Sequence, residues 1–144
     1  MKLLTLGAAL SFTAAAAEAG IALTEAPAYR HLHAASVQAL AAEGGSWNSA
    51  LFTLMVATLL AVWGLYALAA SGRIAPLPLM GPAIHGIAAI YFIRGMFLFP
   101  QLLGHNLFNT RYTVTTGDLA ISAILLVIGL VHLAGSNARQ APLA

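Results

Sequence analysis

The sequence predicts an all-α integral membrane protein, folded as a four-helix bundle in a single domain. Its composition is the first reason, because 60% of the 144 residues are hydrophobic and only 7% are charged. Soluble domains carry about 25% charged residues, so most of this surface must face lipid. The second reason is the presence of four apolar stretches. Each approaches the roughly 20 residues that a helix needs to cross a bilayer core about 30 Å thick.

The four predicted spans cover about residues 3–23, 50–70, 77–99 and 114–134. The first has a second interpretation, because Lys2, an apolar run and small residues before Glu18 also fit a cleavable signal peptide. Cleavage near residue 17 or 19 would leave three spans. Apolar residues resume at positions 20–23, beyond that site, which favours a retained first span.

The short loops indicate the orientation, since positive charge is retained on the cytoplasmic side of a membrane. With four spans, one side holds Lys2, Arg73 and Arg139, and the other holds Arg30 and Arg111. We therefore expect a multi-pass protein of the cell inner membrane with both termini in the cytoplasm.

The connections between spans differ in character. Residues 24–49 contain apolar residues at helical spacing, which predicts a short interfacial helix on the outer surface, with Trp47 at the interface. The inner loop 71–82 contains Pro76, Pro78 and Pro82, which predict a stiff, extended turn. The outer loop 100–117 is polar.

Small and polar residues line one face of three spans. Small residues let membrane helices approach closely, so we expect these faces to meet inside the bundle. The other tryptophans and tyrosines are interpreted as interfacial anchors and packing residues. The faces comprise Gly7, Ser11, Ala14 and Glu18 in the first span, Ala57, Ala61 and Gly64 in the second, and Asp118, Ser122, Leu125, Gly129 and His132 in the fourth.

Three ionisable residues, Glu18, Arg94 and Asp118, are expected in the outer half of the membrane. Ionisable groups at this depth need a partner, water or a function. We expect an ion pair between Glu18 and Arg94, with Asp118 nearby. Its functional interpretation is a proton- or anion-responsive site, and its structural interpretation is a buried pair that fixes helix packing.

Two histidines, His85 and His132, are expected at similar depth near the cytoplasmic side of the third and fourth spans. Such a pair can hold a b-type haem, bind a transition metal, relay protons, or form ordinary hydrogen bonds. Arg94 lies nine residues after His85, on the opposite side of the helix, which argues against haem. No cofactor is predicted, although haem stays open as an alternative.

The remaining histidines make weaker candidates for metal binding. His31 and His33 point about 200° apart if they lie in a helix, and neither a cysteine nor an acidic cluster completes a ligand set. His105 is an isolated loop residue. The chain has no cysteine, which also excludes disulfides and thiol chemistry.

Two segments resemble a recurring pattern in small four-span proteins of bacterial inner membranes. They are residues 65–80, LYALAASGRIAPLPLM, and residues 89–95, AIYFIRG. They contain a short basic turn, a Pro-Leu pair and an arginine deep in the next helix. The resemblance implies a four-helix bacterial membrane protein with Arg94 as part of the pattern, and it carries no known activity.

The function most consistent with the sequence is a non-enzymatic membrane subunit or accessory protein. Its partners would be the lipid bilayer and either copies of itself or another membrane protein, with no role for nucleic acid. One alternative is a small transporter or channel component that uses the Glu18, Arg94 and Asp118 cluster. A lesser alternative is a redox membrane anchor that holds haem. An enzyme is not favoured, because no phosphate-binding loop or nucleophile–base pair is evident.

Overall fold

The structure, a computed structural model, describes residues 2–23, 46–105 and 113–140. Residues 24–45 of the predicted interfacial segment, with the His31–His33 pair, lie outside these residues, whereas residues 46–49 of that segment, Trp47 included, begin the second described helix. The described helices are α1 (Lys2–Leu23), α2 (Ser46–Ala70), α3 (Met80–Met96), α4 (Leu98–Leu102) and α5 (Thr116–Gln140). No strand occurs among the described residues.

Four segments of this structure are long and apolar enough to cross a membrane. They are Lys2–Leu23, Ala50–Ala70, Met80–Leu102 and Thr116–Ala138. The predicted all-α four-helix bundle is thereby confirmed, and the chain is a multi-pass membrane protein. The third span combines α3 and α4, which are separated at Phe97.

Proline positions explain how the third span differs from its predicted bounds. Its helix begins at Met80 and includes Pro82 in the first turn. Proline is tolerated there because the N–H groups of a first turn have no carbonyl partner within the helix, so the missing N–H costs no hydrogen bond. Pro100 cannot donate a hydrogen bond to the carbonyl of Met96, the residue at which α3 ends. The chain then forms the short helix α4 and remains helical to Leu102.

The turn between α2 and α3 begins with a Schellman motif. Gly72 has a positive φ of 77°, its N–H bonds the carbonyl of Ala69, and the N–H of Arg73 bonds the carbonyl of Leu68. Past this turn, the Tyr66 hydroxyl donates to the carbonyl of Pro78 at 3.2 Å. These bonds fix the path of the proline-rich turn against the end of α2.

The four spans form a ring of neighbours. The most extensive contacts join α1 to α2 and α3 to α5, while α1 also packs on α5 and α2 on α3. The contact between α1 and α5 is antiparallel, because Leu4 meets Gly135 and Gly7 meets His132. Packing of Leu4 on Gly135 also accounts for the continuation of α5 beyond its predicted end near residue 134.

Glycines bring α3 and α5 into backbone contact. A Cβ atom added at Gly95 would lie 2.3 Å from the Cα of Leu126, and one added at Gly129 would lie 2.6 Å from the backbone nitrogen of Phe92. Gly64 of α2 similarly accommodates the ring of Phe12. The predicted faces of the first and fourth spans meet where Gly7 packs on His132, whereas Gly64 of the second span packs on Phe12, which is not on the predicted face of the first.

Replacing Gly95 with alanine should destabilise the bundle by about 1–3 kcal/mol, because the methyl group would collide with the backbone of α5. Gly20→Ala is the matched control, since a Cβ at Gly20 meets nothing within 4 Å. We expect that control to be neutral or stabilising by up to about 1 kcal/mol. The free energy of unfolding in mixed micelles measures both effects, and equal stability of the two variants would contradict the close helix contact.

Candidate functional site

Tyr91, near the middle of α3, is the residue at which all four spans meet. Its side chain is only 1% exposed, and its hydroxyl donates to Oγ of Ser11 in α1 at 3.0 Å. Its ring packs edge to face against Trp63 of α2, with the ring centroids 4.9 Å apart. The imidazole of His132 in α5 lies 5.3 Å away, centroid to centroid. One side chain of α3 therefore contacts each of the other three spans.

Helical spacing places Tyr91 in this position. The buried residues of α3 recur every three or four positions, which is the period of one helical face. A hydroxyl inside a membrane needs a partner, because no bulk water is present to replace it. Ser11 supplies that partner from the fully buried face of α1. The members of the α3 face are Ile84, Ile87, Ala88, Tyr91 and Gly95.

His132 is completely buried between α1 and α3. A Cβ atom at Gly7 would lie 2.8 to 3.1 Å from three atoms of the imidazole, so the absence of a side chain at Gly7 lets α1 lie against the ring. Nδ1 of His132 is 2.9 Å from the carbonyl oxygen of Ile128. Since a carbonyl only accepts, Nδ1 carries the proton and Nε2 has a free lone pair. Nε2 is enclosed and has no hydrogen-bond partner among the described residues.

A second polar group, the Arg94 cluster, consists of Arg94, Ser122 and Asp118. Nη1 of Arg94 donates to Oγ of the fully buried Ser122 at 3.1 Å. Asp118 lies one turn before Ser122 in α5 and contributes a favourable electrostatic interaction to Arg94. The guanidinium carbon is also 5.5 Å from the centroid of the Phe97 ring, within cation–π range. The cluster joins α3 to α5 at the end of the bundle where α5 begins.

The carboxylate of Asp118 is held in place by Thr115, the residue before α5. Oδ2 of Asp118 accepts hydrogen bonds from the backbone nitrogen of Thr115 at 3.0 Å and from its hydroxyl at 2.9 Å. The backbone nitrogen of Asp118 donates to Oγ1 of Thr115 at 3.3 Å. This is a capping box. The Thr-x-x-Asp spacing of Thr115 and Asp118 is a sequence signal for this capping box that was not used in the predictions above.

Glu18 is half-buried in the last turns of α1. The contacts described for Arg94 are those to Ser122, Asp118 and Phe97. Of the three ionisable residues that the sequence grouped, Arg94 and Asp118 have a described electrostatic interaction with each other. The ion pair between Glu18 and Arg94 stays a prediction.

His85 and His132 use their Nδ1 atoms in the same way. Nδ1 of His85 lies 2.8 Å from the carbonyl oxygen of Gly81, four residues earlier in its own helix. A haem bound by Nε2 of His132 would have to displace α1, because Gly7 lies directly against the imidazole. Among the described residues, no group of three or more His, Cys, Asp or Glu side chains could hold a metal ion. His105 is exposed after α4. A relay, metal or haem role for His85 and His132 stays a prediction.

Tyr91 and Trp63 are central residues that the sequence pattern did not single out, since it predicts only anchoring and packing roles for the tyrosines and tryptophans. A signal for Tyr91 was available. It lies at the midpoint of the span Met80–Leu102, eleven residues from either end, where a hydroxyl is far from both membrane surfaces. Its partner Ser11 had already been placed on the small-residue face of the first span.

Replacing Arg94 with leucine should lower the free energy of unfolding by about 3 kcal/mol, because Asp118 would stay buried without its cation. The double variant with Asp118→Asn should lose less than the sum of the single losses. A double-mutant cycle measured by unfolding in micelles checks this coupling.

The same cycle with Glu18→Gln tests the predicted pair of Glu18 and Arg94. Arg73→Leu in the exposed turn provides a control that also removes an arginine.

In the cycle of Arg94 with Asp118, losses that add within about 0.5 kcal/mol would contradict the proposed electrostatic interaction.

Comparisons with known proteins give no further assignment. The chain matches no protein family, no curated protein and no solved structure.

Proposed function

We propose that the protein is a non-enzymatic integral membrane subunit or accessory protein that assembles with copies of itself or with another membrane protein. The proposal is supported by the contrast between the inside and the outside of the bundle. Inside, Tyr91 and Arg94 bind side chains of neighbouring helices. Outside, large apolar side chains cover the helices, with Leu51, Met55 and Ile93 each about 60% exposed.

The outward face of α3 is the observation that carries the proposal. Gly86 and Ala89 are exposed there, beside the larger Ile90 and Ile93. A Cβ at Gly86 would meet nothing within 4 Å. Small residues next to large apolar ones let a second membrane helix approach closely. We therefore assign the helix–helix contact with a partner to this face of α3.

Single cysteines test the assignment cleanly, because the natural chain contains none. Ala89→Cys should form an oxidative cross-link in native membranes several times more readily than Leu65→Cys. Leu65 is a suitable control because it is exposed on α2 and lies near the same depth, as the contact of Trp63 with Tyr91 indicates. The mass of the cross-linked product distinguishes a second copy from a different membrane protein.

Native mass spectrometry of the gently extracted protein completes this test. A complex containing either partner would support the proposal, whereas a single chain together with equally poor cross-linking of both variants would overturn it. The mass of the chain also reveals whether it begins at Met1 or near Glu18. A start near Glu18 would remove Ser11, the partner of Tyr91, from the mature protein.

We further propose a location in the inner membrane with both termini in the cytoplasm. The excess of Lys2, Arg73 and Arg139 over Arg30 and Arg111 supports this orientation. Arg73 is exposed in the turn between α2 and α3, on the side proposed to face the cytoplasm.

A second candidate function is transport of a proton or a small ion, and the Arg94 cluster favours it. An arginine within a membrane span and beside a buried carboxylate commonly marks an ion pathway. Purified protein in liposomes should then show an ion flux that falls at least tenfold in Arg94→Leu and stays unchanged in Arg73→Leu. Absence of flux from the natural protein would exclude this candidate while leaving the assembly proposal intact.

A further inference from the structure

The buried Nε2 atom of His132 is a polar group that the proposed assembly function does not use. The imidazole is 0% exposed, and Nε2 has no hydrogen-bond partner among the described residues. Buried polar atoms are almost always paired, and the cost of an unpaired one is greatest in an apolar membrane interior. A hydrogen-bond donor should therefore reach Nε2.

The orientation of the ring limits where that donor can lie. Nδ1 faces the carbonyl of Ile128, on the helix that carries His132. Nε2 lies on the other side of the ring carbon Cε1 and thus points away from α5, into the bundle. Small, fully buried residues occupy neighbouring positions of the other three helices, namely Ala8 beside Gly7, Ala67 one turn after Trp63, and Ala88 one turn before Tyr91.

Ser11 is the candidate to supply a donor from α1. It lies one turn after Gly7, where an added Cβ atom would lie 2.8 to 3.1 Å from atoms of the His132 imidazole. Among the described contacts, the Ser11 hydroxyl accepts from Tyr91 and donates to no group. A water about 2.8 Å from each of two groups can bridge atoms about 4.5 to 5.5 Å apart.

We propose that His132 Nε2 is a binding site for one water molecule, which it shares with the Ser11 hydroxyl at the centre of the bundle. The water donates to Nε2 and accepts from Ser11, which in turn accepts from Tyr91. The result is a hydrogen-bonded chain from α3 through α1 to α5 that ends at the carbonyl of Ile128. It makes Nε2 a proton acceptor in contact with water inside the membrane-spanning region.

One nearby donor is not available to Nε2. The Tyr91 hydroxyl is already directed to Ser11. A proton placed on Nε2 would turn an unpaired acceptor into an unpaired donor, which still requires a partner. A group on a partner protein cannot reach an atom that the bundle encloses completely.

Nitrogen-15 NMR of the full chain in lipid nanodiscs, with labelled histidine, tests the site. His132 is assigned by comparison with His132→Gln. We expect its Nδ1 to be protonated, its Nε2 to have the shift of a hydrogen-bonded acceptor, and its ring to exchange magnetisation with water. In Ser11→Ala, the water cross-peak should be lost and the Nε2 shift should move toward that of an acceptor without a hydrogen bond.

Thr58→Ala is the control, because that exposed hydroxyl donates to the Leu54 carbonyl of its own helix. Its spectrum at His132 should match that of the natural chain. The proposal is overturned if the natural protein shows no water contact at His132, if Nε2 rather than Nδ1 is protonated, or if the cross-peak survives in Ser11→Ala. Since the natural chain alone gives the first two outcomes, misfolding of a variant does not rescue the proposal.

Discussion

The bundle depends on the hydrogen bond between Tyr91 and Ser11 and on the aromatic contacts that surround it. Lipid offers no hydrophobic advantage to helix association, because lipid tails are as apolar as leucine side chains. Association must come from close packing and from polar groups that find partners only inside the bundle. Tyr91 provides both, since its hydroxyl binds α1 while its ring packs on α2 and α5. The remaining contacts are arranged around this position.

Glycines set the distances at which those contacts occur. Gly95 and Gly129 hold the backbones of α3 and α5 together, and that spacing lets Arg94 reach Ser122. Gly7 performs the same function between α1 and α5, where its missing side chain makes room for the imidazole of His132. The polar contacts therefore depend on the small residues, because the glycines set the close helix spacing at which those contacts form.

The sequence was sufficient to predict the number of spans, because span length and apolar composition are local properties. It also predicted the inward faces of the first and fourth spans, since helical periodicity identifies residues on one side. It placed Asp118 near Arg94, but it did not predict the hydrogen bond from Arg94 to Ser122. Arg94 reaches Ser122 and interacts with Asp118, and that choice depends on the relative rotation and depth of two helices. The role of Tyr91 was missed for the same reason, because it depends on three helices converging.

The pairing of neighbours also bears on the biosynthesis of this chain. Its most extensive helix contacts join consecutive spans, α1 with α2 and α3 with α5. Each pair is complete as soon as its second helix has been made, so most of the packing forms between segments that enter the membrane one after the other. The turn at residues 71–79, stiffened by prolines and closed by the Gly72 motif, then restricts how the later pair docks on the earlier one. Insertion order and native packing are thus aligned, which reduces the number of wrong helix pairings open to the nascent protein.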